Sequence, residues 1–285
     1  MAKVLTVRNG GLDMDSVQQR TSEIEILEKH LGLDAMDAKD FFTQLVTSWD
    51  KADVIKGDGK VESRRILIAG DAFFVKRYCF SGNVSMWLYK CGFHKYCRMR
   101  TALRAMMASY IATPPLYRIM IDESLKRLFT VSAYEAGGKD LRHLIGRDLD
   151  KIFSEKNITE QMATIMTSLH GRACVLHGDF KWANILYDQK HNRLTLVDLD
   201  SARKLNAQSR RFYRDVARFV VDCDEAELSQ DHINGFLALY GRHNGKHVDE
   251  IWSLISADYH KFKKRHVKKY GEGFKLANPG KVNPS

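Results

Sequence analysis

Proline is scarce in this chain, four among 285 residues, and no stretch is rich in Gly and Ser, which excludes long disordered linkers. No run approaches the roughly eighteen apolar residues of a membrane-spanning helix. The opening MAKVLTVRNGGLDMDS lacks the apolar core of a signal peptide, so a cytoplasmic location is expected. Internal repeats are absent. Cysteine is sparse and odd in number, five at scattered positions, which excludes a disulfide framework and fits thiols kept reduced. Cys91, His94 and Cys97 share a helical face but lack a fourth ligand at a zinc-site spacing, so no zinc site is expected.

Acidic residues are missing from a long central stretch. Between Ala72 and Ile121 there are eight basic residues and no carboxylate. Residues 1–50, by contrast, hold nine Asp/Glu against five Lys/Arg, so the formal charge of +10 is concentrated downstream. The far end adds Lys261, Lys263, Lys264, Arg265, Lys268 and Lys269. One-signed regions of this kind either form a merely solvated basic surface or meet a polyanion, an anionic membrane surface or a phosphorylated substrate. No recognisable nucleic-acid motif accompanies the basic clusters, so nucleic acid is not the expected partner.

What is present is enough apolar residue, 44%, to bury a substantial core in one large domain or two lobes. Residues 1–51 read as a helical extension, with helices at Ser22–Glu28 and Ala38–Trp49. From Ala52 the period becomes two. Strands are predicted at 52–56, 64–69 and 72–78, with Gly57-Asp58-Gly59 and Gly70-Asp71 as turns. Met86 to Tyr110 reads as helix with a break at Gly92, ended before Thr113-Pro114-Pro115. In it Lys90, Lys95, Arg98, Arg100 and Arg104 form a candidate anion-binding face, and Trp87, Tyr89, Phe93 and Tyr96 read as core. Strands at 116–121 and 128–133 follow. Helices are predicted at 158–171 and 209–222 and again around 236–240 and 251–255, and residues 271–285 as a flexible tail.

The stretch from His177 to Asp200, HGDFKWANILYDQKHNRLTLVDLD, carries the chemistry. Asp179 is followed five residues later by Asn184, and an apolar strand then ends in Asp198. A hard cation takes oxygen ligands, which Asn184 and Asp198 supply, and a hydroxyl nucleophile needs an anionic partner such as Asp179. That set of types at that spacing points to phosphoryl transfer.

His177-Gly178-Asp179, Asn184-Ile185-Leu186 and Val197-Asp198-Leu199-Asp200 resemble the catalytic and metal-binding loops of the protein-kinase-like fold, in the form used by small-molecule and sugar kinases. The strand Phe73 to Tyr78, the basic helix after it and Arg214-Asp215-Val216-Ala217-Arg218-Phe219 together resemble the bacterial lipopolysaccharide core kinases, which phosphorylate heptose or Kdo. The resemblance implies an α+β, two-lobed fold with a small antiparallel-sheet N-lobe at 52–135, a mainly helical C-lobe at 136–270 and the helical N-terminal segment in addition. It implies ATP and Mg²⁺ as cofactors, and as partner a lipopolysaccharide core or another anionic glycolipid, met at the cytoplasmic face of the inner membrane.

The same resemblance assigns roles. Asp179 would be catalytic, and Asn184 and Asp198 would hold the metal. Lys76 would contact nucleotide phosphates, Gly57 and Gly59 would lie over them, and backbone groups from Ala133 to Glu135 would pair with adenine. Asp215 would brace the catalytic loop, and His177 would pack within it. Lys181 would either neutralise the transferring group or face solvent, and Asp200 would be a further metal contact or a loop organiser. Kinases usually place a Glu on the helix after the lysine strand, and this chain has none there. Lys76 would then be held by Asp198 and nucleotide, or by an acid from elsewhere, or the protein would be a degenerate kinase. A soluble small-molecule phosphotransferase and a regulatory pseudokinase are the alternatives.

Overall fold

The structure, a computed structural model, describes residues 4–7, 22–26, 37–57, 61–91, 95–122 and 125–276. The chain divides into two compact units, one of Met1–His94 with Pro114–Ala136 and one of Lys95–Thr113 with Gly137–Ser285. Residues 95–113, expected in the first lobe, pack with the second unit.

The first unit is built on a seven-stranded antiparallel sheet. Its strands are β1 (Val4–Val7), β2 (Ser22–Ile26), β3 (Asp53–Gly57), β4 (Val61–Ile68), β5 (Asp71–Cys79), β6 (Leu116–Asp122) and β7 (Arg127–Ala133). The order across the sheet is β1-β2-β6-β7-β5-β4-β3. Helix α1 (Ala38–Trp49) carries an apolar stripe of Phe41, Phe42, Leu45 and Trp49, which buries against Ile66, Ile68, Phe73, Val75, Phe129 and Val131. Phe41 meets Phe73 edge to face at 6.3 Å. The helix expected at Ala38–Trp49 is therefore present, but the one expected at Ser22–Glu28 is not. Ser22–Ile26 is a strand paired antiparallel with β6, Ile24 opposite Met120. Its Glu-Ile-Glu-Ile alternation has the strand period of two, and the sheet supplies the partner that an isolated helix lacks.

The predicted long basic helix is two helices, α2 (Asn83–Lys90) and α3 (Lys95–Ala108), with Gly92 outside the described residues. Trp87, expected in the core, is 60% exposed, whereas Tyr96 is buried as expected. Helix α3 ends well before the prolines. Tyr110 takes a left-handed φ of 56°, and the Ile111 amide returns to the Met106 carbonyl at 3.0 Å.

In the second unit, α3 packs on strands and turns of the loop region, and helices form the bulk of the core. These are α4 (Leu149–Glu155), α5 (Ile158–Thr167), α6 (Tyr213–Glu225), α7 (Gln230–His243) and α8 (Val248–Tyr270). Short strands β8 (Lys139–Asp140), β9 (Val175–Leu176), β10 (Ile185–Asp188), β11 (Arg193–Leu196) and β12 (Arg203–Lys204) complete it. Helix α5 passes into a π-helical turn at Ser168–Arg172 just before β9. Among the described residues no helix is long and apolar enough to cross a membrane.

Candidate active site

Strand β9 delivers His177, Gly178 and Asp179 into a loop that continues to a 3₁₀ turn at Trp182–Asn184 and then to the β10–β11 hairpin. Two carboxylates from α6 hold this loop from below. The Asp215 Oδ2 accepts the His177 amide at 2.7 Å and its Oδ1 accepts the Gly178 amide at 2.9 Å. Seven residues on, hence two turns along one helical face, the Asp222 Oδ2 accepts the Trp182 amide at 2.7 Å. Arg218 in turn pairs with Asp222 Oδ1 at 2.5 Å. Burial pushes the Asp222 carboxyl above its usual range, with the Arg218 charge working in the opposite direction.

Asp215 is itself fixed. His170, in the π-helical turn, faces it through Nε2 at 3.4 Å while its Nδ1 meets the Tyr240 hydroxyl at 2.9 Å. The His170 ring stacks on Phe212 at 4.8 Å. His177 is wholly buried, and its Nε2 donates to the Val197 carbonyl at 3.1 Å. Its Nδ1 faces the Asp179 amide at 3.4 Å, so the ring with its proton on Nε2 serves both contacts. This is a packing and hydrogen-bonding position, with no free nitrogen to act as a base.

Asp179 keeps a side-chain exposure of 36%. Both of its described side-chain donors converge on one oxygen: Lys181 Nζ reaches Oδ2 at 2.5 Å and Asn184 Nδ2 reaches it at 3.1 Å. Among the described residues no side-chain donor reaches Asp179 Oδ1. Lys181, left open between two readings above, lies on Asp179.

Asn184 is buried and also donates to the Asp179 backbone carbonyl at 2.9 Å. With its amide nitrogen turned to Asp179, its side-chain oxygen points elsewhere. The Val197 amide donates to the Asn184 carbonyl at 3.0 Å, which sets Asp198, the next residue, beside Asn184. Asp198 adopts left-handed dihedrals, φ 59° and ψ 58°, a strained conformation for a residue with a Cβ. Asn184 and Asp198 together offer oxygen donors of the kind a hard divalent cation takes, so the residues present fit Mg²⁺.

Gly178 explains the second letter of the His-Gly-Asp motif. Its φ is +84°, and a Cβ there would lie 2.9 Å from both the carbonyl oxygen and the Cβ of Ser201. The catalytic loop and the turn after Asp198 approach too closely at this point for a side chain.

Tyr96 was read from the sequence only as core, yet it is a neighbour of the site. It lies on α3, which packs against the Leu199–Ser201 turn. Its phenol is pushed far up by burial, and by the charges of Asp200 and Asp198 in that order, so it stays neutral. No spacing in the sequence connects position 96 to position 198; only the packing of α3 does.

The remaining expected residues lie in the first unit. Lys76 on β5 lies opposite Ser63 and Thr130, with its Nζ 6.0 Å from the Phe74 ring centroid. Glu62, on the neighbouring strand β4, pairs with Arg77 and Arg64, each at 2.5 Å. Adjacent strand residues point to opposite faces, so Glu62 serves the face of Arg77 and does not substitute for the missing helix Glu at Lys76. Gly57 ends β3, and Gly59 lies outside the described residues. The Ala133 amide donates to the Pro115 carbonyl at 3.0 Å, and Glu135 is half-buried in the segment after β7.

The family model for the ABC1 atypical kinase-like domain matches residues 133–232, the segment holding the loop and its α6 brace. No curated protein matches the chain significantly. Among solved structures, WaaP in complex with acyl carrier protein is 19% identical, covers 79% of this chain and 92% of that one, and superposes with a TM-score of 0.53. A glucosamine kinase is 12% identical over 76% of this chain and 73% of that one, with a TM-score of 0.49. The antiparallel-sheet unit, the helical unit, the family match over residues 133–232 and the likeness to WaaP identify the chain as a protein of the protein-kinase-like fold.

Proposed function

We propose that this protein is an ATP- and Mg²⁺-dependent kinase that phosphorylates a sugar hydroxyl of a lipopolysaccharide core, heptose or Kdo, at the cytoplasmic face of the inner membrane. The observation that carries the reading is the Asp179–Asn184–Asp198 constellation on a loop braced by two buried carboxylates. Asp179 Oδ1 orients the acceptor hydroxyl and receives its proton as the oxygen attacks the γ-phosphorus and the bond from that phosphorus to the β,γ-bridging oxygen breaks, releasing ADP, while Lys181 and Asn184 hold Oδ2 still. Asn184 and Asp198 would hold Mg²⁺, which would neutralise phosphate charge. Lys76 contacts the nucleotide phosphates, Gly57 and Gly59 cover them, and the segment from Ala133 to Glu135 meets adenine. Asp200 organises the turn after Asp198.

The sugar acceptor is supported by the fold shared with WaaP and by the positive charge from Ala72 to Ile121, suited to an anionic glycolipid and membrane surface. A cationic acceptor such as an aminoglycoside fits that charge poorly. The missing acid on α3 favours a second reading, a nucleotide-binding protein without transfer. The test offers labelled γ-phosphate from ATP to lipopolysaccharide lacking core phosphate, beside a panel of small acceptors, with acyl carrier protein present and absent because the WaaP structure contains it. Label in the lipopolysaccharide alone supports the proposal. Label in a small acceptor alone replaces its substrate, and nucleotide binding without any labelled acceptor favours the second reading.

A further inference from the structure

A cavity of about 310 Å³ opens within the second unit against Gly178. Three arginines line it, each from a different element: Arg98 from α3, Arg203 from β12 and Arg214 from α6. Ser201 and one carboxylate, Asp200, share the wall. None of the three guanidinium groups is held in an ion pair among the described residues. The Nε of Arg203 is buried and has no hydrogen-bond partner, although the loss of water from such a group is costly. Arg214 lies over the Phe262 ring, 5.5 Å from its centroid, which fixes its plane without neutralising it.

The cluster is electrostatically unsatisfied as it stands. Burial holds the Arg203 guanidinium below its ordinary range, and the positive charges of Arg211, Arg98 and Arg214 lower it further against the opposing pull of Asp215. The Asp215 oxygens are already engaged by the His177 and Gly178 amides, and the single Asp200 faces three cations. Planar forks converging on one small space match the oxygens of a phosphate, which can take a bidentate pair from each.

We propose that this cavity binds a phosphate monoester or phosphate dianion between Arg98, Arg203 and Arg214. Its use rests on the kinase reading: an anion seated against Gly178 is one residue from Asp179, where it would anchor an acceptor that already carries a phosphate.

The test is calorimetric titration of nucleotide-free protein with inorganic phosphate and, separately, with glucose 6-phosphate. Saturable binding is expected, weakened about tenfold or more in Arg98→Ala and in Arg203→Gln, since a hydrogen bond to a charged group is worth roughly 1.5–3 kcal/mol. Arg98 is exposed, so its variant keeps the fold even where Arg203→Gln does not. Lys151→Ala, exposed on α4 and absent from the cavity lining, should bind as the parent does. Tighter binding of glucose 6-phosphate would identify a phosphorylated sugar as the source, and equal or weaker binding the free ion. Absence of saturable binding, or binding that Lys151→Ala abolishes and Arg98→Ala leaves intact, overturns the inference. Because the readout needs no turnover, loss of phosphate binding with transfer intact refutes this site alone. Phosphate binding in a protein that transfers to nothing refutes the kinase reading alone.

Discussion

Around Gly178 one set of charges is satisfied from within the fold, and another set is not. Asp215 and Asp222 each accept a backbone amide of the catalytic loop, and each has a further partner, His170 or Arg218. Arg98, Arg203 and Arg214 line a cavity and have no ion-pair partner among the described residues. The first arrangement holds a loop in one geometry, because each buried carboxylate is fully used. The second stores positive charge facing a space, which is stable in full only when something negative enters. Gly178 is the wall they share, and the difference teaches which charges are scaffold and which await a ligand.

The largest effect is expected from breaking the satisfied side. Asp215→Ala leaves two buried amides without an acceptor at about 1–3 kcal/mol each. The thermal midpoint should fall by several degrees, and transfer should be lost even though residue 215 touches no substrate. Asp215→Asn should recover the midpoint only in part and not restore transfer, since its Nδ2 cannot accept the second amide.

Gly178→Ala strikes the shared wall. The +84° backbone and the 2.9 Å approach of Ser201 leave a methyl group no room. A loss of about 1–3 kcal/mol is expected from the strain alone, with both transfer and phosphate binding impaired. Chemical denaturation read beside both assays checks it, and an unaffected cavity would separate the two sides.

Much of this site was legible because its parts are close in sequence. His177 to Asp198 is one stretch whose polar residues are punctuated by apolar strands of period two, and the sheet strands from β3 to β7 showed the same signature. The strand at Ser22–Ile26 was misread although its Glu-Ile alternation has the strand period, because five residues are too short a window to decide and the pairing with β6 is not visible in the sequence. Trp87 was misplaced because an aromatic on a helix carries no sign of which face the fold will cover. The arginine cavity was beyond reach altogether. Positions 98, 203 and 214 lie on three elements that only folding brings together; the sequence placed Arg98 in a candidate anion-binding face of its helix but joined it to neither of the others.

The smallest effect lies away from both walls and serves as a control. Asp224 on α6 takes the Tyr259 hydroxyl at 2.8 Å and Lys263 Nζ at 2.5 Å, tying α8 to α6. Burial works to raise its carboxyl, but these two hydrogen bonds and the Lys263 charge outweigh it, and the net position is below the usual range. A depressed carboxylate contributes stability above its unfolded value, near 3.8, and that contribution is lost as pH falls through the folded value. Asp224→Asn should therefore cost less than about 1 kcal/mol at neutral pH for so exposed a pair. Its deficit should shrink toward zero in acid melts, with transfer and phosphate binding unchanged.

The most direct test of the central claim compares Asp179→Ala with the parent protein in two assays, transfer of γ-phosphate from ATP to the best acceptor and binding of Mg²⁺-nucleotide. The account predicts a fall in transfer of about 10²–10⁴-fold, the range of a lost general base, with nucleotide affinity nearly unchanged. Transfer that continues at the parental rate would contradict it, and the loop built around Asp179 would then need another purpose.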